Sequence, residues 1–141
     1  MKIKIHDPDH VIDSKFIRWL ISQIKIKVAV QLKPDKLKRW DSYLNSVSAF
    51  TSIYKKKLLA RDIILAGSVN LIFTEAEDAY EIFINPNINT PGLDRVKLIT
   101  LCKLINFGNR EQSSYPIFTE VFNEISDNIQ EYVDTWLFSL V

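Results

Sequence analysis

The sequence predicts an α+β fold, with a small, mostly antiparallel sheet packed against about four helices. Three observations carry this. Short segments that alternate apolar and polar residues recur, and two of them lie close enough to form a hairpin. Longer segments place apolar residues three and four apart, as helices do. The two kinds of segment neither alternate strictly nor meet at a glycine-rich turn, which argues against a doubly wound parallel sheet. The 141 residues fit one domain, 1–141. A chain of this size buries roughly 70% of the surface its unfolded form exposes, so it needs no disulfide or metal to hold a core.

Lys2-Ile3-Lys4-Ile5-His6 alternates, as an edge strand guarded by lysines would. Asp7-Pro8-Asp9 breaks it. Asp13 or Ser14 can cap a helix whose apolar stripe is Phe16, Ile17, Leu20, Ile21 and Ile24, flanked by Trp19. From Ile24 to Leu32 the period changes to two, which predicts a strand ended by Lys33-Pro34-Asp35. Residues 35–57 then read as a long helix through Leu37, Trp40, Leu44, Val47 and Tyr54. Lys55, Lys56 and Lys57 fall at its C-terminal end, where positive charge complements the helix dipole. Residues 58–66 fit either more helix or a buried strand, and Gly67-Ser68 punctuates the chain.

Val69 to Thr74 and Tyr80 to Asn85 alternate on either side of the acidic stretch Glu75–Asp78, so a hairpin is expected there. A turn-rich connection follows at Asn85-Pro86-Asn87-Ile88-Asn89. Thr90 and Pro91 suit the cap and first position of a helix reaching Phe107. That helix is apolar over much of its circumference and is expected to be the most buried, with Gly108 at the position after its end where a positive φ is needed. The last helix is expected to start near Ser114 or Tyr115, with a stripe from Phe118 to Leu137.

Chemistry is sparse. Cys102 is the only cysteine, which excludes a disulfide framework and a Cys-based zinc site and fits a reducing compartment. Its apolar helix marks it as packing rather than a reactive thiol. The N-terminus lacks the long apolar run of a signal peptide, and no segment approaches the ~20 apolar residues of a membrane helix, so no membrane partner is expected. His6-Asp7-Pro8-Asp9-His10 is the densest group of potential metal ligands, but it lies on a strand end and a proline turn and has no third histidine. Three scattered glycines write neither a P-loop nor a dinucleotide fingerprint. No catalytic set, metal site or cofactor is expected.

Net charge is +1, but unevenly spread. Through Asn70 there are 14 Lys/Arg and six Asp/Glu, a net +8; from Leu71 onward there are four and 11, a net −7. Folding can interleave the halves and neutralise them locally. A basic half can also bind a polyanion, and a molecule with one basic and one acidic face can associate head to tail into rings or filaments. Lys55, Lys56, Lys57 and Arg61, with Lys33, Lys36, Lys38 and Arg39 around Trp40 and Tyr54, form the candidate basic surface. The apolar run Trp136-Leu137-Phe138-Ser139-Leu140-Val141 either closes the core or docks into a neighbouring subunit, with Trp136 and Phe138 as its anchors.

One local pattern carries a resemblance. It comprises the alternating Tyr80-Glu81-Ile82-Phe83-Ile84, the apolar run Leu101 to Asn109 ending in Phe107-Gly108-Asn109, then Tyr115-Pro116-Ile117-Phe118-Thr119 and Val121-Phe122. In this C-terminal half the chain resembles small virion proteins of tailed bacteriophages. The resemblance implies assembly into a capsid, neck or tail structure alongside other virion proteins, location in the virion and in host cytoplasm during assembly, and no catalysis. It transfers only the structural turn at Gly108, with Asn109 beside it. The expected function is therefore a non-enzymatic assembly protein working in a homo-oligomer or ring. The alternatives are a nucleic-acid-binding or regulatory module using the basic half, and a small enzyme built on His6, Asp9 and His10.

Overall fold

The computed structural model describes residues 1–141. It is an α+β fold of three strands and six helices: β1 (Lys2–His6), α1 (Ser14–Gln31), α2 (Lys38–Ser46), α3 (Ala60–Val69), β2 (Leu71–Glu75), β3 (Ala79–Ile84), α4 (Leu98–Phe107), α5 (Ile117–Asp127) and α6 (Ile129–Ser139). The sheet is antiparallel throughout in the order β1-β3-β2. The expected hairpin is β2–β3, turning through Ala76 N–H to Ala79 C=O at 2.8 Å. β1 adds to its far side as the edge strand the alternation predicts. Ile3, Ile5, Leu71, Ile82 and Ile84 point into the core, while Lys2, Lys4 and His6 face solvent. One contiguous cluster of 29 buried side chains joins the sheet's inner face to α1, α2, α3, α4 and α5.

Four expectations are corrected. The predicted strand Ile24–Leu32 is the second half of α1. Asp13 caps the helix, its side chain accepting from Phe16 N–H at 3.0 Å. No glycine or proline lies between that cap and Pro34, so a nucleated helix simply propagates. The alternating apolar residues coincide with the helical stripe at Ile24 and Val28, which are buried; Ile26 and Val30 are the ones left in solvent.

The long helix predicted for 35–57 is only α2, preceded by a 3-10 turn at Pro34–Leu37 and followed by irregular chain. Hydroxyl and amide side chains compete with the helical ladder there: Ser46 Oγ donates to Tyr43 C=O at 2.7 Å and Asn45 Nδ2 to Asp41 C=O at 2.6 Å. Lys55 adopts a left-handed φ of +55°, and Lys55–Lys57 lie in irregular chain and not at a helix end.

The helix expected to begin at Thr90-Pro91 begins at Leu98. Pro91 and Gly92 instead occupy the centre of a turn closed by Leu93 N–H donating to Thr90 C=O at 2.9 Å, with Gly92 at φ +84°. Proline followed by a positive-φ glycine is the type II signature. Finally, the single C-terminal helix is two, α5 and α6, broken at Asn128, whose Nδ2 donates to Glu124 C=O at 2.9 Å. The break lets Trp136 fold back on Trp19 and Phe16, with ring centroids 5.7 and 6.2 Å away.

Candidate interaction surfaces

Two polar side chains that the sequence marks, Asp7 and Asn109, are occupied in holding backbone. In the 6–10 cluster, the Asp7 carboxylate accepts from Val11 N–H at 2.8 Å and Ile12 N–H at 3.2 Å, while His10 N–H donates to Asp7 C=O at 3.1 Å. Asp7 is buried; His6 and His10 are exposed. This is a capped turn joining β1 to α1, and no three His, Cys, Asp or Glu side chains in the chain gather in a ligating arrangement. The second chemical candidate, Cys102, is fully buried, its thiol 3.6 Å from Ile63 C=O. Burial pushes that thiol up to about 12. Since the thiolate is the reactive form, Cys102 should resist thiol reagents at pH 8 in the native protein and label fully once urea unfolds it. Rapid labelling without denaturant would contradict this placement.

Gly108 and Asn109 form the turn that the sequence marks. Gly108 has φ +73° and ψ −175°, and its N–H donates to Leu104 C=O at 2.8 Å. Asn109 Oδ1 then accepts from Glu111 N–H at 2.9 Å and Gln112 N–H at 2.8 Å, an Asx turn. The loop is fastened to α2 by two bonds, Asn109 Nδ2 to Tyr43 Oη at 3.0 Å and Trp40 Nε1 to Ser113 C=O at 3.0 Å. Trp40 is therefore a buried latch and no part of a nucleic-acid surface.

Sequence reading missed two asparagines with comparable tasks. Asn45 Oδ1 accepts from Leu58 N–H and its Nδ2 donates to Leu58 C=O, both at 2.8 Å, so one side chain stands in for a paired strand. One turn away on α2, Asp41 Oδ1 accepts from Ala60 N–H at 2.7 Å, capping the start of α3. Asn106, buried in α4, accepts on Oδ1 from Phe118 N–H at 3.0 Å and Thr119 N–H at 3.2 Å, while its Nδ2 donates to Thr119 Oγ1 at 2.7 Å. An asparagine on the buried stripe of α4, beside Cys102 and Ile105, was the available signal, because a buried amide demands partners.

The two candidate surfaces that the sequence marks lie apart. At the basic one, Lys55, Lys56, Lys57 and Arg61 are exposed, with Tyr54 beside them. Lys56 and Lys57 edge an open hollow of about 250 Å³ whose walls include Tyr54, Leu58, Ile63 and Pro91. Drug-sized ligands occupy roughly 300–1,000 Å³, so this hollow suits a side chain better than a cofactor. The other surface is the end of α6. Trp136 is half-buried on Trp19, so it closes the core; Phe138 and Leu140 are 82% and 64% exposed. Helix α6 packs on α1 and α5, whereas α3, beside the basic segment, packs on α1, α2 and α4. The charged halves do interleave in part: Lys27 Nζ lies 3.2 Å from Glu124 Oε2 and Lys2 Nζ 3.5 Å from Glu81 Oε1. Tyr132 and then Glu124 hold the Lys27 ammonium above its ordinary pKa. Lys55, Lys56 and Lys57 have no such partner.

No helix is long and apolar enough to cross a membrane. No family model, no curated protein and no solved structure matches the chain.

Proposed function

We propose that this chain is a non-enzymatic assembly protein that works in a homo-oligomer or ring, and that it serves as a virion component of a tailed phage alongside other virion proteins, present in host cytoplasm until assembly. The observation that carries the assembly reading is the end of α6, where Phe138 and Leu140 stand in solvent although the core has a place for their neighbour Trp136. Polar side chains elsewhere support it, since Asp7, Asp41, Asn45, Asn106 and Asn109 are engaged by backbone and none converges on a reactive pocket. The virion assignment rests on the resemblance of residues 80–133. It needs no catalytic residue and no cofactor.

Covering an exposed phenylalanine stabilises an interface by about 1.5–3 kcal/mol, and 1.4 kcal/mol is tenfold in affinity. Phe138→Ser should therefore weaken self-association by about tenfold or more, read by light scattering across a dilution series. Unchanged association in that variant would count against the α6 end as the contact.

A second reading has its own observation. Lys55, Lys56 and Lys57 are unpaired and exposed next to Tyr54, which is 67% exposed. Cations beside an aromatic face suit single-stranded nucleic acid. Binding of this kind falls steeply as salt rises, so a salt titration with single-stranded DNA separates it from assembly through α6.

A further inference from the structure

The strand β2 is an edge of the sheet. Asn85 N–H donates to Asn70 C=O at 2.9 Å and Ala76 N–H to Ala79 C=O at 2.8 Å, which sets the phase of the ladder. Even-numbered residues of β2 therefore bond to β3, and Leu71, Phe73 and Glu75 turn their N–H and C=O groups the other way. Beside them runs an open groove of about 430 Å³ between β2 and α1, lined by Arg18, Ile21, Lys25, Leu71, Ile72 and Phe73. The opposite edge of the sheet is treated differently. β1 carries Lys2 and Lys4, a device that discourages strand addition. β2 has no lysine, no proline and no bulge.

We infer that this edge pairs with the same edge of a second copy, antiparallel about a two-fold axis at Phe73, to make one continuous sheet of two three-stranded halves. The inference rests on the assembly reading and names one of its contacts. Charge complementarity selects a second copy as the occupant. With Phe73 opposite itself, Leu71 faces the second copy's Glu75, and Ile72 faces its Thr74. The Arg18 guanidinium sits 5.9 Å from the Phe73 ring, and Lys25, two turns further along α1, lines the same groove as Leu71. Lys25 has no ion-pair partner in its own chain. The second copy's Glu75 arrives beside it, and symmetry makes the pair twice. The contact is self-complementary and closes as a dimer, so it can combine with a separate contact at α6 to build a larger ring.

Cysteines placed on the outer face of the strand test it. Ile72 and Thr74 are both exposed and would face each other across the axis as a non-hydrogen-bonded pair, with Cα atoms about 4.5 Å apart, inside the range that a disulfide spans. Buried Cys102 does not compete. Full-length I72C/T74C, mildly oxidised, should run mostly as a disulfide-linked dimer on a non-reducing gel. Adding Glu75→Lys should cut the yield several-fold, and adding Lys25→Glu to that variant should restore it. If light scattering shows oligomers but no cross-link forms, the edge assignment is overturned and the assembly reading stands. If the chain is monomeric and does not cross-link, both fall. Cross-linking that ignores the charge swap, or that a single Lys4→Cys variant matches, reflects collision or a different partner at the edge and overturns the pairing.

Discussion

Replacing Asn106 by leucine should destabilise the fold by about 3 kcal/mol. The substitution keeps the side chain's approximate size and removes its hydrogen bonds. Phe118 N–H and Thr119 N–H, the first free donors of α5, then lose their acceptor at 3.0 and 3.2 Å, and Thr119 Oγ1 loses its donor at 2.7 Å. Phe118 is wholly buried, so water cannot replace the amide. Each buried group left unpaired costs about 1–3 kcal/mol, and the extra apolar burial of leucine returns part of this. For a domain of this size the loss corresponds to a fall of about 10 °C in Tm. Thr119→Val, which removes only the side-chain partner of the amide and leaves both backbone bonds, should cost about 1 kcal/mol. Urea denaturation of the two variants checks the order. Equal losses would mean that the amide does not cap α5.

Gly108→Ala should cost about 3 kcal/mol, for two reasons that add. The φ, ψ pair of +73° and −175° is open essentially to glycine alone. A Cβ there would also stand 2.7 Å from Ser114 N and 2.8 Å from Gln112 C=O, both backbone atoms of the same tight loop. The loop must then open, and it carries Ser113 C=O to Trp40 and Asn109 to Tyr43. The expected signature in denaturant is a lowered midpoint with a changed Trp40 fluorescence in the native baseline. A variant as stable as the parent would mean that the loop relaxes freely and that Gly108 is no more than a helix end.

These two positions show what the sequence makes readable. Gly108 was legible because glycine after an apolar helix has a local conformational reason, although its ψ places it outside the left-handed helical region that helix ends commonly use. Asn106 was not read: its partners lie 12 and 13 residues away on another helix, and nothing local points to them. The hairpin could be read from alternation around an acidic loop, since each strand needs only its neighbour. Ile24–Leu32 could not, because alternation every second residue and a helical stripe share positions 24 and 28, and the deciding fact is the absence of a breaker after Asp13. At Thr90-Pro91 the helix-start signals and the turn signals overlap, and Gly92 decides for the turn. Of the candidate surfaces, the basic segment and the α6 end were visible as composition. The split between Trp136, which is packed, and Phe138, which is not, required the break at Asn128. The free edge of β2 depends on strand order, which no local pattern encodes.

The interior's polar groups cap helices and turns and its apolar groups pack, which leaves recognition to the surface. Sedimentation velocity of the full chain at micromolar concentration tests that division most directly. Assembly through its own surfaces predicts a discrete species heavier than the 16.4 kDa chain, growing in population with concentration and diminished by Phe138→Ser. A single 16.4 kDa boundary at every concentration, unchanged by that variant, would contradict it.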